Sequence, residues 1–177
     1  MTTQVIVLNG GSSAGKSGIV RCLQHILPQP WICFGVDDLV ERLPPALVDS
    51  PAGLVFGPNG EVDVGDGFMQ LQHAWMVGIA AMARAGAHII LDEVFLGGGA
   101  SQDRIRNYLE GLDVLWIGVR CAPDIAAGRE IGRGDRVIGM AERQAEIVHK
   151  GVVYDVEVDA GHAESLQCAR AIGTHVT

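Results

Sequence analysis

The stretch Gly10-Gly11-Ser12-Ser13-Ala14-Gly15-Lys16-Ser17 decides the fold, because it has the spacing Gly-x-x-x-x-Gly-Lys-Ser of a phosphate-binding loop. An apolar run precedes it at residues 5–8, and apolar residues recur at helical spacing over residues 19–27. A strand, a glycine-rich turn and a helix in this order direct backbone N–H groups and the positive end of a helix dipole toward an anion. The sequence therefore predicts a P-loop over residues 10–17 that binds a nucleotide.

The motif also assigns roles to side chains. Lys16 is placed to reach the β- and γ-phosphates, and the Ser17 hydroxyl is placed to coordinate Mg²⁺. The chain has two lysines, Lys16 and Lys150, so a lysine in this one position favours function over a glycine-rich turn without a ligand.

Composition limits the class of protein. The formal net charge of -8 disfavours nucleic acid or an anionic membrane as the partner. The four cysteines are widely spaced, so we expect reduced thiols and neither a disulfide framework nor a zinc site. With no basic segment at the start and no uninterrupted apolar span, we expect a cytoplasmic protein. A length of 177 residues predicts a single domain over residues 1–177.

Strand and helix patterns alternate along the chain. After the P-loop helix, strands are predicted at 31–34, 87–93, 114–119 and 152–158, and helices at 68–85, 101–109, 137–149 and 165–176. In the helix at 68–85, Leu71, Trp75, Ile79 and Met82 are predicted to form the buried face. The alternation predicts a three-layer α/β P-loop NTPase fold, with a five-stranded parallel sheet and helices on both faces.

Two of the predicted strands end in pairs of acidic residues. Asp37 and Asp38 follow the second strand, and Asp92-Glu93 ends the strand at 87–93. Because the carboxyl ends of parallel strands meet at one edge, these carboxylates should lie near the P-loop. Asp92 has the Walker B position and is predicted to hold magnesium. One of Asp37 and Asp38 could N-cap a short helix at 39–43 while the other is functional, and Asp37 is the preferred functional carboxylate.

Residues 44–67 are rich in proline and glycine and contain a hairpin pattern around residues 57–60. An insertion between the second strand and the following helix would overhang the phosphate site and shape an acceptor pocket. A surface ornament is the alternative, and the sequence leaves both open.

Residues 129–136 form the densest basic segment of this acidic chain. Arg129, Arg133 and Arg136 recur at about one-turn spacing, while Gly132 and Gly134 would fray a continuous helix. We predict an arginine lid that closes over the transferring phosphoryl group, with Arg129 binding the nucleotide. The alternative is a solvated helix end whose arginines pair with neighbouring acidic residues.

Nearly the whole chain resembles the chloramphenicol phosphotransferase family of small P-loop kinases. The resemblance rests on motifs at residues 8–17, 34–37, 92–98, 129–136 and 149–159. The P-loop alone is shared by many unrelated NTPases, whereas its combination with the arginine segment and with Tyr154-Asp155 is much more specific.

The resemblance implies ATP-dependent transfer of the γ-phosphoryl group to the primary C3 hydroxyl of chloramphenicol, which inactivates the antibiotic. It implies Asp37 as the general base, with Lys16, Arg133 and Arg136 holding the transferred charge. The chain departs from the family at Ala160-Gly161, where hydroxyl residues are expected near the adenine, and at Glu93, where a second aspartate is expected.

Family character is weakest over residues 44–67, which leaves other acceptors open. A different antibiotic alcohol, a sugar acid or a nucleotide sugar are the alternatives, and a nucleotide-dependent switch without acceptor chemistry ranks below them. The chain contains no Asn-Lys-x-Asp guanine motif, which disfavours a GTPase switch. A homo-oligomer is left open.

Overall fold

The computed structural model describes residues 2–58, 61–133 and 139–177. Its strands are β1 Val5–Asn9, β2 Trp31–Gly35, β3 Leu54–Phe56, β4 Val62–Val64, β5 His88–Glu93, β6 Val114–Arg120 and β7 Val156–Asp159. Five of them form a sheet in the order β2-β5-β1-β6-β7, in which every neighbouring pair is parallel. The predicted parallel sheet is therefore confirmed, with β1 at its centre.

Helices follow the strands as the alternation predicts. They are α1 Lys16–Ile26, α2 Val36–Glu41, α3 Asp66–Arg84, α4 Gly99–Tyr108, α5 Pro123–Arg133, α6 Met140–Ile147 and α7 Ser165–Gly173, with a short 3₁₀ turn at Pro45–Leu47. In the described ranges, no helix is both long and apolar enough to cross a bilayer.

The core has one part on each face of the sheet. Ile6 and Leu8 of β1 pack toward α1 and α7, where Ile19 and Ile172 are fully buried. Alternate residues of the same strands point to the other face, where Val7 contacts the cluster that contains residues of α3 and α4. A parallel sheet needs both faces covered, and this arrangement confirms the three-layer fold.

Helix α2 begins earlier than predicted and is capped differently. Gly35 is the N-cap in extended conformation, and Asp38 sits three positions later, where its carboxylate accepts the Gly35 N–H at 2.7 Å. The prediction that Asp37 or Asp38 would itself be the N-cap of a helix at 39–43 is wrong. Both carboxylates lie in the first turn, where the helix dipole favours negative charge.

The buried face of α3 differs from the predicted one. Ile79 is buried as predicted, but Leu71 is 37% exposed and Met82 is 36% exposed. Phe68 and Met76 are buried in their place. The buried face of α3 is rotated because Phe68 packs against Leu54 of the hairpin. Helical periodicity alone does not predict this contact.

The last predicted strand and the helix before it are both shorter than expected. The Trp116 N–H donates to the Asp155 carboxylate at 2.8 Å instead of to a backbone carbonyl of the last strand. The β6–β7 ladder therefore begins at Val156. Strand β7 is an edge strand, as predicted. The helix predicted at 137–149 is α6, and residues 137 and 138 lie outside the described ranges.

The insertion at 44–67 contains the predicted hairpin. Strands β3 and β4 pair antiparallel with Leu54 opposite Val64 and Phe56 opposite Val62, which places these four side chains on one face. Leu54 and Val62 pack with Leu39 of α2, so the hairpin is attached to the helix that carries Asp37.

Candidate active site

The P-loop at residues 10–17 connects β1 to α1 in a tightly curled conformation. Ser13 has φ 57° and Gly15 has φ 98°, both in the left-handed region. A Cβ at Gly10 would come within 2.7 Å of the Val119 carbonyl oxygen, so no side chain fits there. This local geometry is the one in which consecutive N–H groups form an anion-binding concavity.

Lys16 lies across this loop. Its Nζ donates to the carbonyl oxygens of Gly10 at 2.7 Å and Gly11 at 3.1 Å, and it lies 3.5 Å from Asp92 Oδ1 on β5. The side chain is only 8% exposed. Burial raises the pKa of Asp92 above its ordinary value, and the Lys16 charge opposes that shift. The ammonium group thus joins the P-loop to the Walker B position.

Asp37 lies at the same edge of the sheet as Asp92. Strand β2 pairs with β5 so that Gly35 is opposite Asp92, and Asp37 follows two residues later on the first turn of α2. The negative charges of Asp37 and, to a smaller extent, Asp38 are among the causes that raise the pKa of Asp92. The structure therefore brings together the two predicted carboxylates, and Asp37 is exposed where a ligand could reach it.

Asp38 has a different environment from Asp37. One of its carboxylate oxygens accepts the Gly35 N–H, and the other lies 3.7 Å from Arg42 Nη1. These contacts stay within α2 and its cap, so Asp38 stabilises the helix that positions Asp37.

The oxygen donors at this edge suit magnesium. The Ser17 hydroxyl is on an exposed residue in the first turn of α1, and the Asp92 carboxylate lies beside Lys16. No group of three or more His, Cys, Asp or Glu side chains that could hold a metal occurs in the described ranges. Magnesium is commonly held by one or two protein oxygens together with phosphate oxygens and water, so these residues fit it.

A cleft of about 600 Å³ opens beside the last residues of the P-loop. Arg129 lies in its wall, where its guanidinium donates to the Ala160 carbonyl at 2.7 Å and to the Ala14 carbonyl at 3.4 Å. The cleft is lined by Gly15, Gly18, Arg129 and residues 160–165. It is large enough for a nucleoside, and it lies where the predicted P-loop would place one.

The arginine segment is only partly described. Helix α5 continues through Gly132 to Arg133, so the predicted fraying does not begin at Gly132. Arg136 lies outside the described residues. Glu130 is 2% exposed, and its carboxylate accepts the N–H groups of Gly139 and Ala141, each at 2.8 Å. Glu130 therefore fastens α5 to the start of α6.

A buried polar cluster behind the P-loop was not predicted. Asn9, 1% exposed, donates to the Val148 carbonyl at 2.8 Å and to the Tyr154 hydroxyl at 2.6 Å, and its oxygen accepts the Phe95 N–H at 2.9 Å. These bonds hold the start of the loop to α6 and to the segment after β5. The local signal in the sequence is an asparagine that ends an otherwise apolar strand.

His149 extends this cluster. Its Nδ1 lies 2.6 Å from the Tyr154 hydroxyl, and within the described ranges its buried Nε2 has no hydrogen-bond partner. Because the Asn9 amide donates to the Tyr154 oxygen, the hydroxyl hydrogen is left for Nδ1 to accept, and His149 is neutral. Burial is the main cause that lowers the pKa of His149 to about 4.

His149 should make stability fall in acid. The unfolded chain binds a proton on this histidine near the ordinary histidine pKa of 6.5, while the folded chain resists protonation until about pH 4. Between these values wild type should lose ~1 to 3 kcal/mol of unfolding free energy through this group. In urea unfolding from pH 7 to 4, His149→Asn should show a shallower decline, whereas exposed His175→Asn should match wild type. Parallel curves for all three proteins would contradict this assignment.

The sheet order, the P-loop and the strand-end carboxylates together define a P-loop kinase fold. Solved structures agree: a gluconokinase from Sinorhizobium meliloti matches with a TM-score of 0.61 and 17% identity, over 98% of this chain and 93% of that chain. A tunicamycin resistance protein from Deinococcus radiodurans matches with a TM-score of 0.66 and 17% identity, over 98% and 95% of the two chains. At this identity the likeness shows the fold alone.

The chain belongs to the chloramphenicol phosphotransferase-like protein family, whose sequence profile matches residues 3–177. Proteins from two strains of Mycobacterium tuberculosis, each named "Putative O-phosphotransferase", are 29% identical over 181 residues. The match covers 96% of this chain and 80% of each relative. Membership in this family identifies a phosphotransferase of the kinase type and confirms the resemblance found in the sequence.

Proposed function

We propose that the protein transfers the γ-phosphoryl group of ATP to a primary hydroxyl of a small molecule, with the C3 hydroxyl of chloramphenicol as the first candidate. The main support for this proposal is that Lys16, Asp92 and Asp37 lie at the same edge of the sheet. A nucleoside-sized cleft lies on one side of this point, and the hairpin is attached on the other.

The donor would lie along the P-loop. Its base and ribose would occupy the cleft beside Gly15, Gly18 and Arg129, and its phosphates would extend over residues 10–17 toward Asp92. Lys16 now donates to two loop carbonyls, and these bonds can be exchanged for phosphate oxygens. Magnesium held by Ser17 and Asp92 would neutralise phosphate charge.

Asp37 would act as the general base. Its carboxylate accepts the proton of the acceptor hydroxyl while that oxygen forms a bond to the γ-phosphorus, and the bond from the γ-phosphorus to the bridging oxygen breaks to release ADP. Lys16 holds the charge on the transferred group. Arg133 and Arg136 are the proposed lid arginines that close over it.

The hairpin supports an acceptor with an apolar body. Phe56 is 39% exposed and Val64 is 42% exposed, on the face of the hairpin whose other members pack against α2. The tip of the hairpin is tied to α6 by Arg143 Nη1 and Glu61 Oε1 at 3.1 Å. This link supports the interpretation of residues 44–67 as an overhanging insertion. Aromatic antibiotic alcohols fit such a surface better than fully polar sugars.

The test is a phosphorylation assay with ATP, Mg²⁺ and a panel containing chloramphenicol, its C3-acetyl ester, other antibiotic alcohols, a sugar acid and a nucleotide sugar. We expect ADP release matched by a phosphate on chloramphenicol C3, located by mass spectrometry, and no transfer to the ester. Transfer only to another panel member would reject chloramphenicol and keep the kinase. ATP binding without transfer to any acceptor would favour a nucleotide-dependent switch.

A further inference from the structure

Helix α6 lies directly on the P-loop. The N–H of Ser12 donates to Gln144 Oε1 at 2.8 Å, and Gln144 is 5% exposed. A Cβ at Gly11 would lie 3.2 Å from the Gln144 carbonyl carbon and 3.3 Å from the Ala145 nitrogen. The helix backbone therefore packs against the first half of the loop, and Gln144 brings a polar side chain to it.

The Ser12 contact determines how the Gln144 carboxamide is oriented. An N–H donor requires an acceptor, so the oxygen of the carboxamide faces Ser12. The amide nitrogen is bonded to the same carbon and also lies beside the loop, yet nothing in ranges 2–58, 61–133 and 139–177 accepts a hydrogen bond from it. The carboxamide therefore has a donor beside the loop that a ligand could use.

The position of Ser12 indicates which part of a ligand would accept a hydrogen bond from the Gln144 amide nitrogen. The nucleoside-sized cleft adjoins Gly15 and Gly18, at the α1 end of the loop. Ser12 belongs to the other half of the loop, whose carbonyls at Gly10 and Gly11 hold Lys16 beside Asp92. A phosphate chain that starts at the cleft would end on this side. The Gln144 amide is therefore placed toward the terminal phosphate.

The helix that carries Gln144 is held at both ends. The Glu130 carboxylate accepts N–H groups at its start, and the Asn9 amide donates to the Val148 carbonyl just after its end. A donor on such a helix needs little reorganisation when an anion arrives, and this makes it effective in stabilising charge.

We propose that Gln144 is a donor-binding residue whose amide N–H contacts the terminal phosphate of the nucleoside triphosphate. The inference rests on the proposed function, because it needs a nucleotide in the P-loop. It predicts that the protein distinguishes a triphosphate from a diphosphate through this side chain, in addition to Lys16.

Calorimetric titration of wild type and Gln144→Glu with Mg²⁺-AMP-PNP and with Mg²⁺-ADP tests this. Glutamate keeps an acceptor for the Ser12 N–H but replaces the amide donor with negative charge. We expect AMP-PNP affinity to fall roughly ten- to a hundredfold, and ADP affinity to change by less than about threefold. A role confined to packing would change both affinities alike and leave their ratio unchanged.

Gln102→Met is the matched control for Gln144→Met. Gln102 is 1% exposed, and its amide bonds the Val153 carbonyl at 2.7 Å and the Val153 N–H at 3.0 Å. We expect Gln144→Met to lower the AMP-PNP to ADP affinity ratio and Gln102→Met to leave it at the wild-type value. An unchanged ratio in both Gln144 variants would overturn the inference alone. If wild type bound neither nucleotide, both the inference and the proposed function would fail.

Discussion

Replacing Asp37 by asparagine is expected to lower turnover by roughly two to four orders of magnitude while leaving ATP affinity nearly unchanged. Asparagine has almost the same size but cannot accept the proton of the acceptor hydroxyl. Because Asp37 lies on α2 beyond the end of β2, and not in the P-loop, the donor site should stay intact. Steady-state kinetics with a transferring acceptor, together with calorimetric titration of Mg²⁺-AMP-PNP, would measure the two effects separately.

Asp38→Asn is the control for this prediction. It makes the same chemical change one residue away, and the asparagine oxygen can still accept the Gly35 N–H that caps α2. We expect turnover within about threefold of wild type, because in the described ranges the Asp38 carboxylate is engaged by the Gly35 N–H and lies near Arg42, whereas the substituted asparagine can keep the cap. Equal losses in the two variants would assign the effect to α2 and remove Asp37 from the chemistry.

Replacing Lys16 by methionine should abolish most activity through a different route. The variant loses the cation placed for the transferred phosphoryl group, and turnover should fall by roughly two to three orders of magnitude. It also leaves the half-buried Asp92 carboxylate without the charge that lowers its pKa. Unlike Asp37→Asn, this variant should bind AMP-PNP more weakly, which calorimetry would detect.

The chain supplies a matched control in its other lysine. Lys150 is exposed, so Lys150→Met removes the same charge away from the P-loop. We expect wild-type kinetics for this variant. Full activity in Lys16→Met would contradict the assignment of residues 10–17 as a working P-loop, and a matching loss in Lys150→Met would point to net charge as the cause.

The sequence predicted the parts of the fold that short-range rules determine. The strand before the P-loop, the helix after it and the carboxylates at strand ends follow from apolar periodicity and glycine spacing within about ten residues. The sheet followed from the alternation of these elements. The prediction failed for the buried face of α3, because that face also depends on the hairpin. Phe68 replaces Leu71 on the inner face because the hairpin packs there.

The rest of the candidate site depends on residues far apart in the chain. Asn9 and Tyr154 are 145 positions apart, and Ser12 and Gln144 are 132 apart, yet each pair is hydrogen bonded. No local pattern connects an asparagine at a strand end with a tyrosine before the last strand. These contacts form only when the parallel sheet places β1 beside β6 and α6 over the loop, so only the folded structure could reveal them.

The strand order separates the two halves of the proposed reaction. Strand β2, which leads to Asp37, is at one edge of the sheet, and β7, which leads to the cleft at residues 160–165, is at the other. Four strand spacings, about 19 Å, lie between these edges. A change of substrate preference through substitutions around β2 could therefore accumulate without disturbing recognition of the nucleoside. In this fold, a different antibiotic or sugar could be accommodated by substitutions at the β2 edge of the sheet, while the proposed nucleotide-binding β7 edge stays unchanged.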